Sequence, residues 1–239
     1  MDSAHRDGLG LESQARSHDR THFGGPVVTD PFPHLVIDGY WNNDLLDDVV
    51  AEFPSVESGE WIRRNEVGKQ VKLGGGRSLW GPRTQELATE IEALGPSLSE
   101  LFALPQLTPD FGGGGYHYIE PGGHLAVHAD FNVSKSGLYR RANVLVYLNH
   151  DWTEADGGNL ELWNERTRVR SLLPTFNRTV AFETSDRSFH GHPIPLAAAR
   201  PRLSFAGYFF SEMPPPDFAV PHSTVWRGPE TETELEAES

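Results

Sequence analysis

The 239-residue sequence contains no cysteine, only three lysines and no long apolar run. Without cysteine the chain forms neither disulfide bonds nor thiolate metal sites, so any bound metal must use histidine and carboxylate ligands. No stretch approaches the ~20 apolar residues that span a bilayer, and the N-terminus lacks the apolar core of a signal peptide. These absences predict a cytoplasmic protein without a membrane partner.

Positive charge is also scarce, because 20 lysines and arginines face 34 acidic residues and leave a net charge of −14. This balance argues against general binding to nucleic acid. An acidic body favours a cationic substrate over an anionic one, although solubility is the simpler explanation of the charge. The hydrophobic content of 37% is sufficient for a packed core.

Apolar periodicity is confined to the middle of the chain. Residues 1–25 are polar and residues 214–239 are rich in proline and glutamate, so we expect both ends to be disordered. The remainder, residues 26–213, is expected to form a single domain. Its first part predicts a strand at residues 31–38 and helices at 43–53, with Asn43 as the cap, and at 85–102.

The segment between these two helices, residues 55–83, is polar and rich in glycine. Its composition is typical of a mobile lid or of an ordinary surface loop.

From residue 111 onward, short apolar runs alternate with turn signals. The predicted strands are residues 116–120, 126–131, 142–148, 159–163, 168–173, 178–182 and 202–210. Short strands separated by glycine and proline turns favour two facing sheets, with the earlier helices packed on one of them. The predicted fold class is therefore mostly β with flanking helices (α+β), with a double-stranded β-helix, or jelly-roll, core at about residues 111–211.

A His-x-Asp pair, His128 and Asp130, follows a turn signal at residues 120–123 and lies among apolar residues. A strand places residues i and i+2 on one face, so both side chains can enter one cavity. Two histidines and one carboxylate bind one face of the metal in non-haem iron(II) oxygenases and leave positions for further ligands. A third ligand must come from another strand, and both His190 and His192 are candidates.

Four segments of the chain resemble the prolyl hydroxylase branch of the 2-oxoglutarate and iron(II)-dependent dioxygenases. They are residues 118–130, 141–160, 185–193 and 202–210. The resemblance covers about residues 112–211 and implies that His128, Asp130 and His190 are the metal ligands.

The same resemblance implies a cosubstrate pocket. Arg202 is matched to the residue that pairs with the distal carboxylate of 2-oxoglutarate, and Tyr118, Tyr147 and Asn143 are matched to residues around that carboxylate. A buried arginine in an apolar strand needs an anionic partner, which supports this role. Arg200 is the rival, but the Arg-x-Ser pattern at the start of the last predicted strand favours Arg202.

The resemblance implies an enzyme that uses iron(II), 2-oxoglutarate and dioxygen to oxidise a C–H bond, by hydroxylation or oxidative ring closure. Since the sequence shows no peptide-binding module, a small, cationic metabolite is the favoured substrate, such as an amino acid or an aminoglycoside-like antibiotic intermediate. The first alternative is a prolyl or protein hydroxylase that acts on a peptide. The second is a non-catalytic, cupin-like protein that binds a metal or ligand.

Overall fold

The computed structural model of the chain describes residues 23–227, whose strands form one curled β-sheet. The predicted disordered ends fall chiefly on residues 1–22 and 228–239, which lie outside the described residues. The elements are, in chain order, β1 (His34–Asp38), α1 (Asn43–Ala51), β2 (Ile62–Glu66), β3 (Gln70–Gly75), a 3-10 turn (Arg77–Leu79), α2 (Pro82–Glu92), α3 (Gly95–Leu101), β4 (Thr108–Ile119), β5 (Leu125–Ala129), β6 (Tyr139–Tyr147), a 3-10 turn (Glu154–Asp156), β7 (Leu160–Trp163), β8 (Arg168–Leu172), β9 (Arg178–Glu183), β10 (Phe189–His192), β11 (Arg202–Ser211) and β12 (Val225–Trp226).

All strand pairings are antiparallel, and the strand order is β1-β9-β6-β11-β4-β3-β5-β10-β7-β8, with β2 on β3 and β12 on β5. The sheet folds over so that β4, β6 and β11 face β5, β7 and β10 across one cavity. No helix in the described part of the chain is long and apolar enough to cross a membrane.

The two-residue period of the strands gives the central sheet a dry face and a cavity face. On β11, Phe205 and Phe209 are fully buried and pack with the helices, whereas Arg202, Ser204 and Tyr208 line the cavity. The strands β4 and β6 alternate in the same way. The apolar alternation of the sequence thus determines which polar side chains share the interior.

The helices cover the dry face through Leu46 and Ile91, which are both fully buried. Helix α1 is capped by Asn42, whose side chain accepts a hydrogen bond from the Leu45 amide at 3.1 Å, rather than by Asn43 as predicted. The single helix predicted at 85–102 is divided into α2 and α3. Pro96 explains the division, because proline lacks an amide donor and disfavours helix at the residue before it.

Residues 62–75 of the glycine-rich segment form a hairpin, β2–β3, and not a loop. Strand β3 pairs with β4 over three residues and with β5 at Gln70. It therefore joins the two halves of the sheet and contributes a wall of the cavity. The sequence did not predict this hairpin, because the residues of β2 are exposed throughout and show no apolar alternation.

Residues 214–227, which follow the predicted boundary at residue 213, pack on the domain. Asn132 binds this segment by donating to the Val220 carbonyl at 3.0 Å and accepting from the His222 amide at 2.9 Å. Strand β12 then pairs with the end of β5, opposite His128 and Ala129. The ring of Trp226 lies 5.0 Å from that of His128. The segment is held in place by these contacts, although its composition resembles a disordered tail.

Candidate metal and cosubstrate site

Three side chains from two neighbouring strands meet at one end of the cavity. His128 lies on β5, Asp130 follows one residue after β5 ends, and His190 lies on β10 directly opposite His128. One potential ligand atom from each lies within 4.8 Å of the other two. The two Nε2 atoms are each 3.6 Å from an oxygen of Asp130. These residues therefore present two imidazoles and one carboxylate to a common point.

Backbone carbonyls orient both imidazoles. His128 Nδ1 lies 2.9 Å from the Ala126 carbonyl, and His190 Nδ1 lies 2.9 Å from the Ser188 carbonyl. Each Nδ1–H donates to its carbonyl, which leaves the Nε2 lone pair free for a metal. Burial and the neighbouring His128 lower the pKa of His190 to about 4. The imidazole of His190 therefore remains neutral, as a metal ligand must be, across the physiological pH range.

Asp130 is held by two polar neighbours. Arg140 Nη2 lies 3.0 Å from its Oδ2, and Asn143 Nδ2 donates to the same oxygen at 2.8 Å. Arg140 also donates from Nε to the amide oxygen of Asn143. Burial raises the pKa of the Asp130 carboxyl, but Arg140 and the two histidines outweigh burial and hold it well below its usual range. Asp130 is therefore anionic and fixed in place before any metal binds.

Arg202 lies in the same cavity and is 4% exposed. Within residues 23–227 its only hydrogen bond of normal geometry runs from Nε to the Gly158 carbonyl, at 2.8 Å. The guanidinium carbon lies 4.9 Å from the centre of the Tyr147 ring. The Tyr147 hydroxyl is buried, and so are both ring nitrogens of His192; none of the three has a well-formed partner in the described residues. Such a group of unpaired donors fits a buried carboxylate.

The structure brings together six of the seven residues that the sequence singles out, namely His128, Asp130, His190, Arg202, Tyr147 and Asn143. It does not bring Tyr118 to them. Tyr118 lies on the dry face of β4, with its ring 5.8 Å from that of Trp61, and His117 faces the cavity instead. Adjacent residues of a strand point to opposite faces, so a one-residue difference in register separates the two.

Four ionisable cavity residues had no assigned role in the sequence interpretation: Lys72, His117, Arg140 and Tyr208. The two-residue period of Asn143, Leu145 and Tyr147 would have indicated Arg141 and not Arg140, because the register of β6 shifts next to Arg140. Lys72 had only a short signal, because the alternation of polar residues with Val71 and Leu73 covers four residues and ends at the glycines 74–76.

A jelly-roll whose cavity holds two histidines, one carboxylate and a buried arginine is typical of the non-haem iron(II) oxygenases. The donor set suits iron(II), and the unpaired donors around Arg202 suit the far end of a dicarboxylate. Comparison with known proteins agrees with this class. Residues 114–210 match the family model of the 2OG-Fe(II) oxygenase superfamily. This part of the chain is therefore similar to 2-oxoglutarate and iron(II)-dependent oxygenase domains, and the curated proteins that match it are named as prolyl hydroxylases.

Among curated proteins, prolyl 3-hydroxylase OGFOD1 of Xenopus laevis is 36% identical over 85 residues, which cover 32% of this chain and 17% of that protein. Prolyl 3,4-dihydroxylase OGFOD1 of Ostreococcus tauri is 34% identical over 102 residues, covering 38% and 19%. The matched part of the chain thus spans less than a fifth of the length of these relatives.

Two solved structures share the fold. A prolyl hydroxylase of Trichoplax adhaerens in complex with a hypoxia inducible factor peptide gives a TM-score of 0.60 at 19% identity, covering 75% of this chain and 84% of that one. A prolyl-4-hydroxylase of Pseudomonas putida gives 0.58 at 18% identity, covering 74% and 92%. The comparisons confirm the predicted family, the jelly-roll core with flanking helices, and iron(II) and 2-oxoglutarate as cofactor and cosubstrate.

The buried histidines predict that the metal-free protein loses stability in acid. Burial and the nearby Arg202 hold the pKa of His192 well below its ordinary value of 6.5. The unfolded chain therefore binds the proton more readily, so the stability that neutral His192 contributes is complete above pH 6.5 and is lost below it. We expect His192→Gln to reduce the pH slope of the free energy of unfolding by up to about 1.4 kcal/mol per pH unit. Urea unfolding at several pH values below neutrality measures this slope, and parallel slopes for the two proteins would contradict the expectation.

Proposed function

We propose that this protein is a 2-oxoglutarate and iron(II)-dependent dioxygenase that hydroxylates a proline residue of a peptide or protein. The convergence of His128, Asp130 and His190 beside Arg202, in one cavity, is the observation that carries the proposal. When bound, iron(II) with 2-oxoglutarate and dioxygen supplies the oxidising power for C–H hydroxylation, and succinate and carbon dioxide are the coproducts.

The side chains around the metal have two roles. We propose that His128, Asp130 and His190 hold the metal, while Arg140 and Asn143 fix the Asp130 carboxylate by their hydrogen bonds and charge. The metal affinity of such ligands depends on the neighbouring groups that orient them.

In the cosubstrate pocket, we propose that the Arg202 guanidinium and the Tyr147 hydroxyl bind the distal carboxylate of 2-oxoglutarate. Trp226 packs against His128 from the C-terminal segment, which helps to exclude water from the metal. The catalytic domain then includes residues 26–227, because this segment pairs with β5.

The peptide substrate has better support than the small, cationic metabolite expected from the net charge. The relatives that match in sequence are named as prolyl hydroxylases. Moreover, the cavity is lined by the cations Lys72, Arg140 and Arg202 and by one carboxylate, Asp130. A cationic substrate group would be repelled there, whatever the charge of the outer surface.

The test begins with anaerobic titration of the iron(II)-loaded protein with 2-oxoglutarate. We expect the weak visible charge-transfer band of the iron and 2-oxoglutarate chelate, its loss in His190→Ala, and its retention in His150→Ala, which alters an exposed histidine. With dioxygen and proline-containing peptides, succinate release and addition of one oxygen atom to proline should follow. Bound iron without the band would favour the cupin-like alternative. A band together with oxygen incorporation only into small metabolites would favour the small-metabolite substrate that the sequence predicts.

A further inference from the structure

The side chain of Lys72 enters the metal cavity from β3 and has no partner of opposite charge. It lines the same cavity as Asp130, Arg140 and Arg202. Within residues 23–227, no carboxylate lies within ion-pair distance of its ammonium group. Lys72 is half-buried. A charge that is partly removed from water and has no partner is costly, so such a group is suited to a ligand that completes it.

Nearby acidic side chains are already paired with other cations. Glu66 lies 3.8 Å from Lys69, Glu120 lies 3.7 Å from Arg63, and Glu161 lies 2.8 Å from Arg168. All three pairs lie outside the cavity, since none of their members lines it. The described part of the chain, residues 23–227, therefore supplies no counterion in contact with Lys72.

The charges of the proposed complex show that the cofactors do not supply one either. The cavity holds three cations, Lys72, Arg140 and Arg202, and one anion, Asp130, so its excess is two positive charges. Iron(II) and 2-oxoglutarate leave this excess unchanged, because the two charges of the metal equal those of the two carboxylates. Arg140 already contacts Asp130 at 3.0 Å, and Arg202 is assigned to the distal carboxylate. Lys72 is the cation that has no anionic group in contact with it.

We infer that Lys72 binds an anionic group of the primary substrate, so that the hydroxylated proline lies next to a carboxylate, such as an acidic side chain in the peptide. This inference rests on the proposed function and narrows its substrate to acidic peptides. The ammonium group provides three donors on a flexible stem, which suits a carboxylate that approaches with the substrate.

The electrostatic environment of Lys72 agrees with an unfilled anion site. Burial, together with Arg64, Arg140 and Arg202, lowers its pKa to about 8, although Asp130 acts in the opposite direction. The ammonium form still predominates at neutral pH. A substrate carboxylate would restore the charge balance and raise this pKa again.

The first experiment separates the substrate from 2-oxoglutarate as the source of the anion. Anaerobic titration of the charge-transfer band gives the affinity for 2-oxoglutarate in Lys72→Met and in the control Lys69→Met, which alters an exposed lysine of the same hairpin. We expect both variants to bind 2-oxoglutarate within about threefold of the unaltered protein, because Arg202 holds that carboxylate. A loss in Lys72→Met of tenfold or more would assign Lys72 to the cosubstrate and overturn the inference. Absence of the band in the unaltered protein would instead refute the proposed function.

The second experiment compares capped peptides with a central proline and either glutamate or glutamine at one flanking position. For at least one position we expect the glutamate peptide to have a kcat/KM for succinate formation about tenfold or more above its glutamine counterpart. The difference should disappear in Lys72→Met and persist in Lys69→Met. Equal rates for glutamate and glutamine at every position, or a preference that survives in Lys72→Met, would overturn the inference.

A third measurement uses the unaltered chain and does not depend on a variant that folds. The protein has only three lysines, Lys69, Lys72 and Lys135, so reductive ¹³C-methylation gives a simple NMR spectrum. With zinc(II) in place of iron(II) and with saturating 2-oxoglutarate, the acidic peptide should shift the Lys72 signal and leave the other two in place. A Lys72 signal that responds to 2-oxoglutarate but to none of the acidic peptides would contradict a substrate site.

Discussion

Alanine in place of Asp130 is expected to abolish iron(II)-dependent succinate formation and to lower the free energy of unfolding by about 3–5 kcal/mol. The first effect follows because Asp130 is the one carboxylate of the proposed ligand set. The second follows because Arg140, which is 2% exposed, would keep its charge and lose the partner that lies 3.0 Å away. The loss of stability should already be visible in the metal-free protein by urea unfolding.

Two control variants separate these effects. Asp130→Asn keeps a hydrogen-bonding group for Arg140 but removes the charge, so it should lose turnover at a smaller cost in stability than alanine. Asp38→Ala removes a carboxylate from an exposed ion pair with Arg178, and should cost no more than about 1 kcal/mol. Iron affinity and turnover that survive in both Asp130 variants would exclude Asp130 as a ligand.

Methionine in place of Arg202 should raise the dissociation constant for 2-oxoglutarate by about 100-fold or more. Removing one member of a buried ion pair costs about 3 kcal/mol or more, and each 1.4 kcal/mol is a factor of about ten in affinity. Methionine fills a similar volume without the charge, so the apolar packing against Tyr147 is largely kept. Iron binding should change much less, because Arg202 contacts none of the three proposed ligands. Anaerobic titration of the charge-transfer band measures both constants.

Arg200 provides a matched control two residues away. It is exposed, donates to the Asp151 carbonyl and lies 3.7 Å from Asp156. Arg200→Met should therefore leave the affinity for 2-oxoglutarate unchanged within about twofold, since exposed ion pairs contribute little. If Arg200→Met weakens 2-oxoglutarate binding as much as Arg202→Met does, the guanidinium acts through the general field of the protein and the assigned pocket is wrong.

The two substitutions should also differ in how turnover responds to added 2-oxoglutarate. Asp130→Ala removes metal binding, so that added 2-oxoglutarate restores nothing. Arg202→Met leaves a loaded metal, and high concentrations of 2-oxoglutarate should recover much of the turnover. Turnover that recovers at high 2-oxoglutarate in both variants, or in neither, would not fit the proposed division of the cavity into a metal end and a carboxylate end.

The sequence by itself predicted the jelly-roll core and the residues of the proposed ligand set. Strand signals are local, because apolar alternation and glycine or proline turns lie within a few residues of each other. The His-x-Asp spacing and the Arg-x-Ser start of the last strand are equally local, and the structure gathers His128, Asp130, His190 and Arg202 in one cavity.

Only the tertiary structure decided which face of each strand meets the cavity and which distant segments complete it. A shift of one residue in register exchanges Tyr118 for His117, and no local pattern distinguishes the two. Lys72 comes from a polar hairpin, and Trp226 from a segment with the composition of a tail. Both are placed by backbone pairing with β4 or β5. Such pairing depends on the edges that the rest of the sheet leaves open, and this is a property of the assembled fold and not of the local sequence.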